Sequence, residues 1–353
     1  MQSLGAHLRT LHSLAPANKD HVSAVRVAVS VAVPSLILLA AGRTDLMIYA
    51  VFGALTGMYG RTEAHQLRLK HQGQAAVLLV GGLAVGVLLS VNHLHSWVLV
   101  LTETVLAAAG SLFADRVALK PNGPFFGLLA LGACAAVPTP APWFMAVLVG
   151  AGSAAFSIAV GFGGWVRGRA WARGAARNIP AMRGVRRRAA WIHAARYFTA
   201  VGAAGSLGVL SGTGHPHWAM AAAAVPLAGA DMPSSMYRGL HRIVGTLMGL
   251  VVVAVVLFPW AFSPLRVFPG HEAAVLAVLV VVLQFTTELF MTRHYGLAMV
   301  FFTPVILLIT QLAAPSDPHV LVTERAVETL QGALTGILVV LLIRRRRPAD
   351  TGS

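Results

Sequence analysis

The chain is a succession of apolar runs separated by short segments that hold nearly all of its charge, and this pattern leaves few folds open. The runs lie near 22–41, 46–60, 74–91, 97–113, 124–137 and 143–161, and again near 194–211, 216–230, 243–260, 272–290, 295–313 and 323–343. A helix that crosses the hydrocarbon of a bilayer needs about 20 apolar residues, with roughly 17–25 the working range. In lipid every backbone donor and acceptor must be satisfied inside the segment, so runs of this length read as helices. The expectation is an all-α polytopic membrane protein with about twelve transmembrane helices. The 46–60 and 216–230 runs are short, and are expected to tilt, to thin the bilayer or to span only part of it. Composition agrees: 57% of residues are hydrophobic and 11% charged, against about 25% charged in a soluble domain. "PTPAP" at 138–142 and "APSDP" at 314–318 end helices, and Pro34, Pro226 and Pro304 fall inside runs, where they would kink them.

Charge sets the expected orientation. The net charge is +15, but the basic residues sit between apolar runs rather than on one soluble face. That placement fits membrane orientation and excludes a nucleic-acid partner as the first explanation. With the N-terminus in the cytoplasm and the runs alternating, only Arg43, Arg266 and Arg325 of the 27 Lys and Arg fall outside. Both termini are therefore expected in the cytoplasm of a bacterial-type inner membrane. The first twenty residues are polar and mixed and do not read as a removable signal peptide. The segment 162–192 has no acid and carries Trp165, Trp171 and Trp191; it is expected to lie on the anionic inner leaflet. Cys134 stands alone in an apolar run and forms no internal disulfide.

Slid by 170 residues, the sequence places Arg26 on Arg196, Gly42 on Gly212, Arg68 on Arg238 and His71 on His241. "LFADR" at 112–116 resembles "LFMTR" at 289–293, and "FF" at 125–126 falls near "FF" at 301–302. Six runs per half give both halves one orientation, so the expected organisation is two parallel six-helix repeats, 22–161 and 194–343. A cytoplasmic segment 1–21, a basic linker 162–193 and a basic tail 344–353 complete the chain. A site is expected between the repeats near the midplane.

Enzyme chemistry finds no support. There is no G-x-x-x-x-G-K-[ST] loop, and "GFGG" at 161–164 reads only as a glycine-rich helix end. "HLH" at 93–95 and "HPH" at 215–217 lack a third ligand, so they read as wet loop histidines and neither a metal nor a cofactor is expected. The acids within spans are more informative, because an ionisable group in a span faces the bundle interior or a wet cavity. Glu103 and Glu288, each beside threonines, are the proton-coupling candidates. For Glu288 the alternative is a structural pair with Arg293 or another cation at the inner end. Glu324 and Glu328 read as wet groups at the outer end of the last span. Arg26, Arg196, Arg68, His71, Arg238, His241 and Arg242 cluster at the inner ends. They form either a leaflet anchor or the basic collar of a vestibule that concentrates an organic anion.

Residues 195–250 carry a set of motifs in order: an arginine-led helix from Arg196, a His-Pro-x-Trp-Ala step at His215, Pro216, Trp218 and Ala219, and R-x-x-G-T-x-x-G at Arg242, Gly245, Thr246 and Gly249. "YGLAMVFFTPVILLI" follows at 295–309 with Pro304. Together these resemble the fusaric acid resistance (FUSC) membrane module of aromatic acid exporters. The first half fits more loosely, with Ile48 in the Trp place and Ala75 in that of Gly245. The resemblance implies proton-driven efflux of small organic or aromatic carboxylic acids. A passive anion channel on the same scaffold and a non-transport membrane scaffold stay open as alternatives, as does homo-oligomerisation.

Overall fold

The structure, a computed structural model, describes residues 16, 20–61, 63–94, 96–140, 142–168, 182–258 and 263–343. The first fifteen residues, the linker stretch 169–181 with Trp171, the side chain of Trp165 and the Arg344–Arg347 tail lie outside the described residues.

Among the described residues the chain is helical and contains no strand. The order is α1 (Asp20–Ala40), α2 (Met47–Ala54, extended by 3-10 turns at Thr44–Leu46 and Leu55–Met58), α3 (His65–Val91), α4 (Ser96–Val117), α5 (Phe125–Ala136) and α6 (Trp143–Gly168). Then come α7 (Gly184–Leu210), α8 (Pro216–Leu227), α9 (Met232–Leu257), the single turn α10 (Pro264–Val267), α11 (Glu272–Phe290), α12 (Tyr295–Ala313) and α13 (Pro318–Leu342). Eight of these are long and apolar enough to cross a membrane: α1, α3, α4, α6, α9, α11, α12 and α13. Of the remaining expected spans, α2, α5 and α8 hold 8, 12 and 12 residues. A helix of 12 residues is about 18 Å long, short of the roughly 30 Å hydrocarbon. α7 has the length but not the apolar composition.

Several helices begin well before their apolar runs. α3 starts at His65 rather than near 74, α9 at Met232 rather than near 243, and α13 at Pro318 rather than near 323. α7 starts at Gly184, so the last ten residues of the expected linker are helix, with Trp191 exposed on it. Hydropathy registers only the lipid-buried part of a helix, whereas capping decides where it starts. Asp231 and Ser234 form a reciprocal capping box ahead of α9. The Asp317 carboxylate accepts from the His319 N–H at 2.8 Å, with Pro318 in the first helical position.

The short helices are the centre of the molecule. Every residue of α2 and of α8 is buried, and a helix apolar all round belongs inside a core. The long helices surround them and keep apolar residues such as Leu101, Val251 and Leu338 exposed on their outer sides, as a lipid-facing surface requires. α2 packs on α6 and α8 on α13; α3 packs on α5 and α6, and α9 on α12 and α13. α11 lies along α1, and α4 along α7. Because lipid gives apolar side chains no reason to leave it, such contacts depend on small residues that let backbones approach. A Cβ on Gly332 or Gly336 of α13 would run into the carbonyl oxygens of Ala219 and Ala223 on α8. A Cβ on Gly245 of α9 would stand 2.5 Å from the Gly296 oxygen of α12.

Candidate functional site

At the end of the bundle where α3, α5, α9 and α12 begin, the helices leave a cavity of about 520 Å³. Its wall carries four cations, Arg61, Lys120, Arg238 and Arg293, against one acid, Glu63. The rings of Phe125, Phe126, Tyr237 and Tyr295 supply its apolar surface. Phe125 and Phe126 meet edge to face at 5.0 Å, and Phe126 meets Phe302 at 5.7 Å. The Arg238 guanidinium lies over the Tyr295 ring at 5.4 Å. Such a wall offers a flat anion both charge and π-faces.

Behind that wall lies Arg242, fully buried on α9. Its guanidinium covers the Phe125 ring at 5.3 Å, and Nη1 donates to Met299 Sδ at 3.2 Å. Nε and Nη2, the two nitrogens that form the side-on fork, have no hydrogen-bond partner. The Tyr295 hydroxyl is close enough to interact with the guanidinium, without meeting Nε or Nη2 in hydrogen-bond geometry. A buried donor left unsatisfied costs about 1–3 kcal/mol, and more when charged.

The other expected collar residues are placed differently. Arg68 donates to the carbonyls of Gly60 at 3.1 Å, Gly161 at 2.8 Å and Glu63 at 2.7 Å, closing the end of α6 against α3. "GFGG" thus lies within α6, and its first carbonyl is an arginine acceptor. Arg196 donates to Ile343 O at 2.7 Å and Val340 O at 3.2 Å, satisfying the last carbonyls of α13. Arg26 donates to Arg61 O at 3.0 Å. His71 pairs with Glu63. His241 accepts from the Gly296 N–H at 3.0 Å and stacks on His294 at 4.7 Å. Of the seven, Arg238 lines the cavity and Arg242 stands behind its wall; the other five are outside it.

Glu288 is buried, and its cation is Arg61 rather than Arg293. Arg61 Nη1 stands 3.2 Å from Oε1, Nη2 donates to the Glu288 carbonyl at 2.7 Å, and the Ser23 hydroxyl donates to Oε1 at 3.0 Å. Arg61 therefore joins α1 and α11 while also lining the cavity. As a lone arginine after α2, 227 positions from its partner, it gave no signal in the sequence. Glu103 is buried on α4 with neither carboxylate oxygen hydrogen-bonded, and its neighbour Thr104 packs on Gly202 of α7.

The opposite end corrects three expectations. Glu328 is fully buried rather than wet, and Arg325, expected in an outer segment, is 1% exposed. His217 is also buried, while His215 pairs with Glu324. The cause is α8. All 12 of its residues are buried, and α13 packs against it, which covers Arg325, Glu328 and Thr329 on that side of α13. Arg325 covers the indole of Trp218 at 4.0 Å, which gives the His-Pro-x-Trp step a structural meaning. The rest of the motif meets at one crossing of α9 and α12: Gly249 abuts Thr303 and Pro304, Thr246 accepts from Thr303 at 3.4 Å, and Gly245 faces Gly296. Among the described residues no group of three His, Cys, Asp or Glu could hold a metal ion.

These features agree with the comparisons to known proteins. Residues 200–339 match the family model described as fusaric acid resistance protein-like. The chain is also 26% identical over 156 residues to an uncharacterized membrane protein, YvaC, of Bacillus subtilis (strain 168). That alignment covers 44% of this chain and 23% of the relative, so the chain spans less than a quarter of the length of the curated protein it matches. No solved structure matches. With eight helices long and apolar enough to cross a membrane, the chain is a multi-pass membrane protein, similar over residues 200–339 to the fusaric acid resistance protein-like family.

Proposed function

We propose that the protein is an inner-membrane transporter that exports small organic carboxylates, aromatic ones included, in exchange for protons. The observation behind this reading is the arginine fork of Arg242, buried and without an acceptor, behind the wall of a basic and aromatic cavity of about 520 Å³. A carboxylate has two parallel acceptors that match such a fork, and charge-assisted bidentate pairs are among the strongest hydrogen-bonded contacts. The cations at the cavity wall raise the local concentration of anions, the rings accept a flat apolar body, and Arg242 is the expected seat of the carboxylate.

Threading the chain as twelve helices in two parallel repeats is part of the proposal. Packing supports it. α3 on α5 corresponds to α9 on α12, α2 on α6 to α8 on α13, and α11 along α1 to α4 along α7. With both termini in the cytoplasm, the cavity faces the cytoplasm, where an exporter takes up its cargo. Glu288 is the coupling candidate that borders the cavity, through Arg61; Glu103, between α4 and α7, is the other.

The test is flux of benzoate in proteoliposomes, with and without an imposed proton gradient. Accumulation against the benzoate gradient that depends on the proton gradient supports the exporter. Flux that only follows the benzoate gradient supports a channel. No flux of any carboxylate supplied refutes both.

A further inference from the structure

Among the described residues the arginines of this bundle, half-buried or buried, are held in two ways. Arg68 and Arg196 are satisfied by backbone carbonyls, three and two respectively, and hold helix ends together. Arg242 and Arg325 are fully buried and are not held this way. Arg325 rests on the Trp218 face at 4.0 Å, and its Nε and Nη1 have no acceptor. One helical turn further along α13, Glu328 is equally buried, with both carboxylate oxygens lacking a hydrogen-bond donor. The His215 backbone N–H and the Thr213 hydroxyl are the donors near it, and the hydroxyl is shared with Gly208 O at 2.9 Å. A guanidinium and a carboxylate in one apolar pocket, coupled by charge but unsatisfied as hydrogen-bonding groups, form a costly arrangement. The structural pair Arg61 and Glu288 is held more fully, at 3.2 Å, with Arg61 Nη2 on the Glu288 carbonyl and the Ser23 hydroxyl on Oε1.

Depth gives this pair a role. Arg325 is seven residues from the start of α13, or about 10 Å at 1.5 Å per residue. Arg242 is ten residues from the opposite end, on α9, which packs on α13; that is about 15 Å. In helices about 36 Å long the two guanidiniums stand on either side of the middle, near enough for each charge to act on the other.

We infer that Arg325, stacked on Trp218, is a second anion-binding position serving the end of the bundle opposite the cavity, with Glu328 balancing its charge when no anion is bound. This rests on the transport reading. When a carboxylate arrives at Arg325, two anions would face one cation in low dielectric. Glu328 then takes a proton from water at that end, and the pocket returns to net zero. When the anion leaves to that side, the proton passes inward, which completes the exchange. The charged and titratable groups around Glu328 are Arg325 and Glu324 on α13, His215 just before α8, His217 on α8, and Arg242 on α9 beyond Arg325. Glu324 is already matched by His215, which leaves Glu328 as the group free to change charge with the anion.

The probe is benzoate, read in two ways. Emission of Trp218, taken as the difference between the unaltered protein and Trp218→Phe, should change on adding benzoate, and the change should vanish in Arg325→Gln. Flux in proteoliposomes should fall at least tenfold in Arg325→Gln. In Glu328→Gln benzoate flux should persist but lose its dependence on the proton gradient. Arg325→Lys keeps the charge over Trp218 and serves if the glutamine variant does not fold; it should lose flux by loss of the fork. Unchanged Trp218 emission with benzoate, or unchanged flux in the Arg325 variants, overturns the inference. If the unaltered protein moves no carboxylate while Trp218 still responds, the transport reading fails and the binding position stands.

Discussion

Replacing Arg242 by glutamine separates binding from folding, and the structure gives the expected size of both effects. A hydrogen bond to a charged group contributes about 1.5–3 kcal/mol, against about 0.5–1.5 for a neutral pair. The fork of Nε and Nη2 offers two such bonds to a carboxylate; glutamine returns one neutral donor. The net loss is about 1.5–5.5 kcal/mol, or at least roughly tenfold in affinity. In the empty protein the same change removes a buried charge that lacks a hydrogen-bonded counter-ion, so stability should hold or rise. Benzoate flux as a function of concentration measures the first effect as a raised KM. The second is read by heating the detergent-solubilised protein with a thiol-reactive dye, because Cys134 is buried and reacts only on unfolding. Arg242→Lys should recover the charge but not the fork, and so restore only part of the affinity. An unchanged KM would refute the argument. A marked drop in unfolding temperature with unchanged KM would make Arg242 a structural residue like Arg196.

Three further outcomes are expected. Gly332→Val, which drives side-chain atoms into the Ala219 carbonyl, should destabilise by about 1–3 kcal/mol in the Cys134 assay; Gly73→Ala, with open space around it, should not. Glu103→Gln should leave expression and unfolding temperature intact while removing proton-driven export; a wild-type rate under a proton gradient would make Glu103 structural. In a Cys134→Ser background, cysteines at Thr44, Ser96 and Ser316 should react with an impermeant reagent from outside and Ser234 should not, and reversed labelling would overturn the orientation and, with it, the cytoplasmic facing of the cavity.

The sequence by itself determined the solvent of this protein and the kind of fold it allows. Apolar runs separated by charged breaks can only be a helical membrane bundle, because lipid satisfies no backbone group. Cap chemistry, readable at Asp231, Ser234 and Asp317, was available to extend the helices past their apolar runs, but hydropathy passes over it. The motif from His215 to Gly249 marked the module without saying what each residue touches. Tertiary structure decided what the arginines do. Arg68, Arg196, Arg242 and Arg325 are alike in sequence, each a basic residue beside an apolar run. Their difference lies in whether carbonyls are brought to them, from 93 positions away for Arg68 and 147 for Arg196, and none for Arg242 and Arg325. Glu328 and Arg325 looked wet because helix length counted along the chain places them near an end. They are dry because they face the side of α13 that packs on the fully buried α8. Hydrogen-bond satisfaction and burial are properties of what surrounds a group in space, and the chain order carries neither.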